Sequence, residues 1–187
     1  MKLVIVGNSG SGKTWLAKGL AAIASVPVVH LDELFWQAGG FDLKRPEPEV
    51  ASLMGSARAQ PGWVVEGVFG ELAAPFLQDA SALIWLNLDW GICEARLRAR
   101  GSESKAHMGR AQSEVGLARL LAWASTYPTR GDARSLTGHQ ALFTQFAGSK
   151  ACLRSEAEVS DLLAAANRGE DLAKVLQTFV STRLPSA

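Results

Sequence analysis

The sequence has few cysteines, little net charge and no long apolar run. Its 187 residues include only two cysteines, Cys93 and Cys152, and their spacing matches no metal-binding motif. We therefore expect two small buried side chains in a reducing compartment. The chain carries 19 basic and 18 acidic residues, a formal net charge of +1. This balance argues against binding to nucleic acid or to a membrane surface through charge alone.

No apolar stretch approaches the roughly 20 residues that a bilayer-spanning helix needs. The apolar residues near the N-terminus lead directly into a glycine-rich segment, so we interpret them as a strand and not as a signal peptide. The sequence contains no internal repeat, low-complexity tract or interdomain linker. It therefore predicts one cytoplasmic domain over residues 1–187, large enough to bury a core.

A strand, a glycine-rich loop and a helix follow one another at the start of the chain. The apolar run Leu3–Val6 predicts a buried strand, and residues 7–14 read GNSGSGKT. This segment fits the phosphate-loop pattern G-x-x-x-x-G-K-[ST] without a mismatch. Apolar residues between Trp15 and Ile23 then recur at helical spacing.

The chemistry of a polyphosphate site explains these residue types. The glycines allow successive N–H groups to turn toward the phosphates, and the helix N-terminus adds partial positive charge. Lys13 is predicted to reach the β- and γ-phosphates, and the Thr14 hydroxyl to bind Mg²⁺. The predicted ATP-binding residues of the loop are Gly7, Asn8, Ser9, Gly10, Ser11, Gly12, Lys13 and Thr14.

Two carboxylates follow predicted strands, where side chains face the ligand crevice of an open α/β sheet. Asp32 comes directly after the predicted strand Val26–Leu31, and Glu66 ends the predicted strand Trp63–Glu66. Asp32 is predicted to accept a proton from an acceptor or to hold Mg²⁺, although it could instead cap a short helix. Glu66 is predicted to belong to the same magnesium and proton site, with a plain surface residue as the alternative.

Further candidate substrate contacts lie between these two carboxylates. Phe35 and Trp36 could form a wall of the acceptor pocket or fill the core, and Arg45 could contact a phosphate. His30 lies within an apolar strand, so we interpret it as a core histidine or as one that supports a site residue. The glycines and prolines between residues 37 and 48 predict a loop.

The remaining chain alternates helices with two more strands. Asp89 is predicted to cap a helix on which Arg96 and Arg100, four residues apart, share a face. The polar segment Gly101–Arg110 predicts either a mobile lid over the phosphates or an exposed connection. The other predicted elements are a helix at 49–59, a strand at 82–88, helices at 114–127 and 134–147, a strand at 150–153, a helix capped by Ser155 and Glu158, and an extra C-terminal helix at about 170–182.

This order of elements resembles that of the adenylate-kinase-like P-loop nucleotide kinases, up to about residue 166. The segments 28–36, VVHLDELFW, and 63–67, WVVEG, together with residues 7–14, resemble most the FlaR-like predicted kinases labelled DNA topology modulation proteins. The resemblance implies an α/β fold in which helices flank a five-stranded parallel sheet, with a small lid at about 101–118.

The resemblance also implies roles for individual residues. Arg96 is similar to an arginine that stacks on adenine, and Arg100 to one that contacts the phosphates of ATP. Arg119 and Arg130 resemble lid-side arginines that clamp the transferred group. Arg154 and Ser155 fall where such kinases place a loop beside adenine. Glu66-Gly67 resembles an Asp-Gly pair near Mg²⁺.

The predicted function is transfer of the γ-phosphoryl group of ATP·Mg²⁺ to a small acceptor. No basic residue lies between Arg58 and Arg96, where such kinases carry an arginine for an acceptor phosphate. The acceptor is therefore left open between a nucleoside, a nucleotide, a sugar and another hydroxyl compound. The alternative function is a regulatory ATPase or nucleotide switch that acts on a protein or DNA partner. The sequence does not indicate an oligomeric state.

Overall fold

The structure is a computed structural model that describes residues 1–37, 43–101 and 110–180, without the side chains of 110–113 and 180. Residues 38–42 of the predicted loop and residues 102–109 of the predicted lid lie outside the described residues. Residues 110–118, which we also assigned to the lid, belong to a helix.

Five parallel strands form one sheet in the order β2-β3-β1-β4-β5. This topology confirms the predicted α/β class with a five-stranded parallel sheet. The first strand lies at the centre, so the residues that follow β1, β3 and β4 meet at one edge of the sheet. The strands are β1 (Lys2–Gly7), β2 (Val28–His30), β3 (Trp63–Gly67), β4 (Ala82–Leu86) and β5 (Ser149–Leu153).

Helices connect the strands and cover both faces of the sheet. None of the helices in the described ranges is both long and apolar enough to cross a bilayer. The described helices are α1 (Lys13–Ala24), α2 (Leu31–Phe35), α3 (Glu47–Arg58), α4 (Gly70–Leu77), α5 (Trp90–Arg100), α6 (Arg110–Ser125), α7 (Leu136–Gln145), α8 (Glu156–Asn167) and α9 (Leu172–Val180).

Side chains of the central strand enter two separate apolar layers. Leu3 and Ile5 pack in a core with α1, α5, α8 and α9, whereas Val4 and Val6 pack in a second core with α2, α3, α4 and α7. All four side chains are fully buried. A strand that is covered on both faces has no polar face, which explains the continuous apolar run in the sequence.

Two helices differ from the sequence prediction. Leu31, predicted to end the second strand, instead begins α2. Helix α4 was not predicted, because Gly70 and Pro75 are residues that usually interrupt helices. It forms nevertheless, since Ala73 and Phe76 are fully buried in the second core, and tertiary packing can outweigh local propensity.

Helix α1 follows its predicted apolar periodicity only in part. Leu16 and Leu20 are fully buried against the sheet. Trp15 and Ile23, which we placed in the same apolar set, are 56% and 41% exposed. Helix α1 therefore presents a large aromatic side chain to solvent immediately after Thr14.

Candidate active site

Residues 7–14 connect β1 to α1 at the carboxyl end of the central strand. Gly10 and Gly12 have φ angles of 81° and 95°, a region that residues with a Cβ rarely adopt. A Cβ at Gly10 would lie 2.4 Å from the carbonyl oxygen of Cys93 in α5. The loop therefore has a shape that requires glycine at these two positions.

The Lys13 side chain is buried within this loop. Its Nζ donates a hydrogen bond to the carbonyl oxygen of Asn8 at 2.9 Å. Lys13 is also the first residue of α1, and Gly12 is the N-cap. The ammonium group and the positive end of the helix dipole thus lie in one loop, an arrangement that favours an anionic ligand.

Thr14, Glu66 and His30 form a hydrogen-bonded group beside the loop. Thr14 Oγ1 donates to Glu66 Oε1 at 2.9 Å, and His30 Nδ1 lies 2.7 Å from the same oxygen. His30 and Glu66 are neighbours in the register of β2 and β3, so their side chains lie on the same face of the sheet. The fold therefore brings the Glu66 carboxylate to the hydroxyl that we predicted to bind Mg²⁺.

The pKa values of this pair move apart. Burial raises the pKa of Glu66, but the hydrogen bonds from His30 and Thr14 and the charge of Lys13 outweigh it, and the pKa lies below its ordinary value. The hydrogen bond to Glu66 raises the pKa of His30, against the opposing effect of its burial. The pair thus favours an ionised carboxylate and a protonated imidazole. His30 contacts Glu66, a predicted site residue, so its predicted role in supporting a site residue stays a prediction.

Asp32 lies in the first turn of α2. The N-cap of this helix is His30, and no side chain caps it, so Asp32 does not serve as the cap. Asp32 is solvent-exposed, yet the protein atoms around its carboxyl group exclude enough water to raise the pKa of that group. The charge of Lys13 lowers the same pKa to a smaller extent. A carboxylate with a raised pKa is a better proton acceptor.

Arg96 of α5 lies directly over the predicted phosphate loop, residues 7–14. Its Nη1 donates to the carbonyl oxygen of Ser11 at 3.0 Å, and its Nη2 donates to Glu156 Oε1 at 2.5 Å. A Cβ at Gly12 would lie 2.9 Å from Arg96 Nη1. Arg100, at the end of the same helix, is exposed, and its charge lowers the pKa of Asp32 slightly.

Three other predicted site arginines lie in different environments. Arg119 is exposed on α6. The Arg130 guanidinium stacks on Trp123 at 3.9 Å and donates to the Trp123 carbonyl oxygen at 2.6 Å. Arg45 donates to the carbonyl oxygens of Glu33 and Trp36 and pairs with Glu49. Arg130 therefore binds the C-terminal end of α6, and Arg45 binds that of α2. The predicted phosphate contacts of both arginines stay predictions.

Ser155 begins α8 with a capping box. Its hydroxyl accepts from the Glu158 N–H, and the Glu158 side chain accepts from the Ser155 N–H and from the Arg154 N–H. This confirms the predicted cap. The predicted contact of Arg154 and Ser155 with adenine stays a prediction, although Glu156, the next residue, is the partner of Arg96.

An aromatic cluster begins at the end of α2, the helix that carries Asp32. Phe35 is buried, and its ring centroid lies 4.6 Å from those of both Trp36 and Phe69. The Arg134 guanidinium lies 4.5 Å and 4.3 Å from the Phe35 and Phe69 rings and pairs with Glu71. Phe69 and Arg134 were not predicted as site residues, because no local pattern in the sequence connects them with Phe35.

A second buried network was also missed. Trp85 Nε1 donates to the Tyr127 hydroxyl at 3.1 Å, and that hydroxyl lies 2.7 Å from His139 Nδ1. His139 Nε2 donates to the Val68 carbonyl oxygen at 3.0 Å. Tyr127 is the only tyrosine of the chain. That rarity was the one signal that could have drawn attention to it.

The residues present fit a magnesium-bound polyphosphate. Ser11 Oγ is buried in the loop and has no hydrogen-bond partner within the described part of the chain. Mg²⁺ on a nucleotide takes one or two protein oxygens and completes its shell with phosphate and water. Thr14, Glu66 and Asp32 offer such oxygens. The described residues contain no group of three or more His, Cys, Asp or Glu side chains arranged to hold a metal ion.

No protein-family model and no curated protein matches the sequence. Among solved structures, the chain is similar to a gluconokinase from Sinorhizobium meliloti 1021, with 15% identity, 97% of each chain covered and a TM-score of 0.49. A shikimate kinase from Bacteroides thetaiotaomicron is 15% identical over 94% of this chain and 97% of its own, with a TM-score of 0.49. A shikimate kinase from Acinetobacter baumannii, in complex with shikimate, is 16% identical over 76% of this chain and 90% of its own, with a TM-score of 0.40. At these identities and TM-scores the likeness carries no functional argument.

Proposed function

We propose that this protein is an ATP·Mg²⁺-dependent kinase that transfers the γ-phosphoryl group to a small hydroxyl-bearing acceptor. One observation carries the proposal: the glycine loop encloses the Lys13 ammonium, while the adjacent Thr14 hydroxyl contacts the ionised Glu66 carboxylate. A site that only turned the chain from strand to helix would not need a buried cation beside a buried carboxylate.

The chain's own residues divide the work of the reaction. The loop N–H groups and Lys13 bind and orient the phosphates, and Arg96 holds the outer side of the loop through Ser11. Thr14 and Glu66 would hold Mg²⁺, which would neutralise phosphate charge when bound, and Asp32 is the alternative ligand if it does not act as the base. Arg100, Arg119 and Arg130 are the candidates to balance charge on the transferred group, and Arg154 and Ser155 those to border adenine.

Asp32 is proposed to accept the proton of the acceptor hydroxyl. Asp32 follows β2, and β3 separates β2 from the central strand β1. This order places Asp32 to one side of the loop after β1, which would hold ATP. Phe35, Trp36 and Phe69 lie on the same side and would keep water from the acceptor. Since a kinase must avoid hydrolysis, an apolar wall beside the base favours transfer to an organic hydroxyl.

The test of nucleotide binding uses Lys13→Ala. Loss of the ammonium should weaken ATP·Mg²⁺ binding by about 1.5–3 kcal/mol, the range for hydrogen bonds to charged groups. The loop backbone should keep its shape, because Gly10 and Gly12 set it. Isothermal titration calorimetry measures both proteins, and equal affinities would exclude the proposed site.

A second candidate function, a regulatory ATPase, is favoured by the contact between Glu66 and Thr14, since that carboxylate could position water. Comparing Asp32→Asn with Glu66→Gln separates the two functions, with an acceptor identified from a metabolite screen for ATP consumption. A kinase base predicts that Asp32→Asn keeps ATP affinity within a few-fold and loses about 100-fold or more in transfer rate. Normal turnover by Asp32→Asn together with an inactive Glu66→Gln would favour the ATPase.

A further inference from the structure

Asn8, the second residue of the phosphate loop, uses its side chain to bind a distant helix. The residue is only 4% exposed, and its Nδ2 donates to the carbonyl oxygen of Ala124 at 3.0 Å. Its Oδ1 accepts from the Ser9 N–H at 2.8 Å. These two partners require opposite ends of the amide, so the orientation of the Asn8 side chain is determined by its neighbours.

The acceptor of this bond is part of a helix end. Ala124 lies in the last turn of α6, where the final carbonyl groups of a helix have no partner within the helix. Arg130 donates to the carbonyl oxygen of Trp123. Asn8 donates to the carbonyl oxygen of Ala124, which also accepts from the Tyr127 N–H at 3.1 Å. The phosphate loop thus caps the C-terminal end of α6.

The main-chain carbonyl group of Asn8 accepts hydrogen bonds from within the loop. Its carbonyl oxygen accepts from Lys13 Nζ at 2.9 Å and from the Ser11 N–H at 3.2 Å. One residue therefore contacts both the cation that would bind the phosphates and the end of α6. A ligand that draws Lys13 away from this carbonyl changes the hydrogen bonding of the residue that caps α6.

We propose that Asn8 is a positioning residue that couples nucleotide occupancy of the phosphate loop to the order of α6, the helix that carries Arg119. This inference rests on the proposed function to the extent that the loop binds a nucleotide. Coupling of this kind is reciprocal, so weakening the bond to α6 also lowers nucleotide affinity. The Asn8 side chain accordingly acts on the helix and not on the phosphates.

The test measures amide hydrogen exchange in residues 119–127, with and without saturating ADP·Mg²⁺. In the natural protein, the nucleotide should slow exchange in this segment by about tenfold, within the usual range of coupling between sites. Asn8→Ala removes both side-chain bonds, and Asn8→Asp keeps the acceptor for Ser9 but removes the donor to Ala124. In both variants ADP·Mg²⁺ should slow amide exchange in residues 119–127 by less than about twofold. The affinity for ADP should fall about fivefold or more.

Ser125→Ala is the matched control. Its hydroxyl is exposed and bonds to Ala122 within α6, so this variant should keep the tenfold nucleotide effect. If ADP·Mg²⁺ slowed amide exchange in residues 119–127 equally in Asn8→Ala and in the natural protein, the coupling would be overturned. A natural protein that binds ADP·Mg²⁺ by calorimetry without any change in α6 would overturn the coupling alone. Failure to bind ATP or ADP at all would overturn the proposed function and the coupling with it.

Discussion

A single carboxylate oxygen, Glu66 Oε1, joins the phosphate loop to the neighbouring strands. It accepts from Thr14 and pairs with His30, so the same atom fixes a candidate magnesium ligand and an edge strand. The cost of burying Glu66 is offset only while both donors are present. The pH dependence of protein stability therefore shows whether His30 and Glu66 form a charged pair.

The charge of His30 can be tested with His30→Gln, which keeps a hydrogen-bond donor. The lowered pKa of Glu66 contributes stability that is complete above its unfolded value of 4.5 and is lost as the pH falls through the folded value. The raised pKa of His30 contributes stability that is complete below its unfolded value of 6.5 and is lost as the pH rises through the folded value. The free energy of unfolding of His30→Gln should therefore be lower than that of the natural protein by about 1 kcal/mol. The difference should be largest between pH 4.5 and 6.5, where both groups of the natural pair are charged.

Urea unfolding at several pH values measures this difference. Glu47→Gln is the matched control, because the Lys44–Glu47 pair is exposed and should contribute little at any pH. A stability loss in His30→Gln that does not vary with pH would mean that the imidazole fills space without carrying charge.

Among the helices, α8 has the N-terminus that is best defined by side chains. The Ser155 hydroxyl accepts from the Glu158 N–H, and Glu158 returns the bond to Ser155. Arg96 of α5 reaches the adjacent Glu156. The start of α8 is therefore fixed next to an arginine that contacts the phosphate loop through Ser11, and its cap affects more than its own helix.

Ser155→Ala should destabilise the protein by about 1 kcal/mol, the usual cost of removing an N-cap hydroxyl. Ser160→Ala, on the exposed surface of the same helix, should change stability by less than half of that. Thermal unfolding of both variants makes the comparison. Equal effects of the two substitutions would show that the cap does not limit the stability of α8.

The elements that the sequence predicts well are those with a signal inside their own residues. The apolar run Leu3–Val6 identifies β1 whichever strands flank it, and Ser155 with Glu158 identifies the start of α8. Helix α4 has no such signal, since its stability comes from the burial of Ala73 and Phe76 in a core built by distant segments. The phosphate loop is likewise a local motif. The contact of Arg134 with Phe35, by contrast, depends on how the whole sheet is ordered.

On the scale of the whole molecule, one buried histidine joins several elements. His139 of α7 links to Tyr127 after α6, and through it to Trp85 of β4, while its other nitrogen donates to Val68 after β3. Burial lowers the pKa of His139 from 6.5 to about 4. The network needs neutral imidazole, because Nδ1 accepts the bond from Tyr127.

Acid should therefore destabilise the molecule through His139. A histidine with a lowered pKa contributes stability that is complete above its unfolded value of 6.5 and is lost as the pH falls through about 4. The free energy of unfolding lost through His139 between pH 6.5 and 4 is about 3 kcal/mol. His139→Gln cannot titrate but keeps a donor and an acceptor. Its stability should be lower at pH 7 and should fall less between pH 6.5 and 4, as measured by urea unfolding. Parallel pH profiles would contradict this role.

The central position of β1 has a consequence for synthesis of the chain. Leu3–Val6 is made before its partners on both sides, β3 and β4, and the second of these ends at Leu86. At about 5–20 residues per second, the ribosome needs several seconds to supply them. During that time an apolar segment with two open edges is exposed and can pair with other chains. The order of the sheet thus leaves β1 without one or both of its partner strands until β4 has been made.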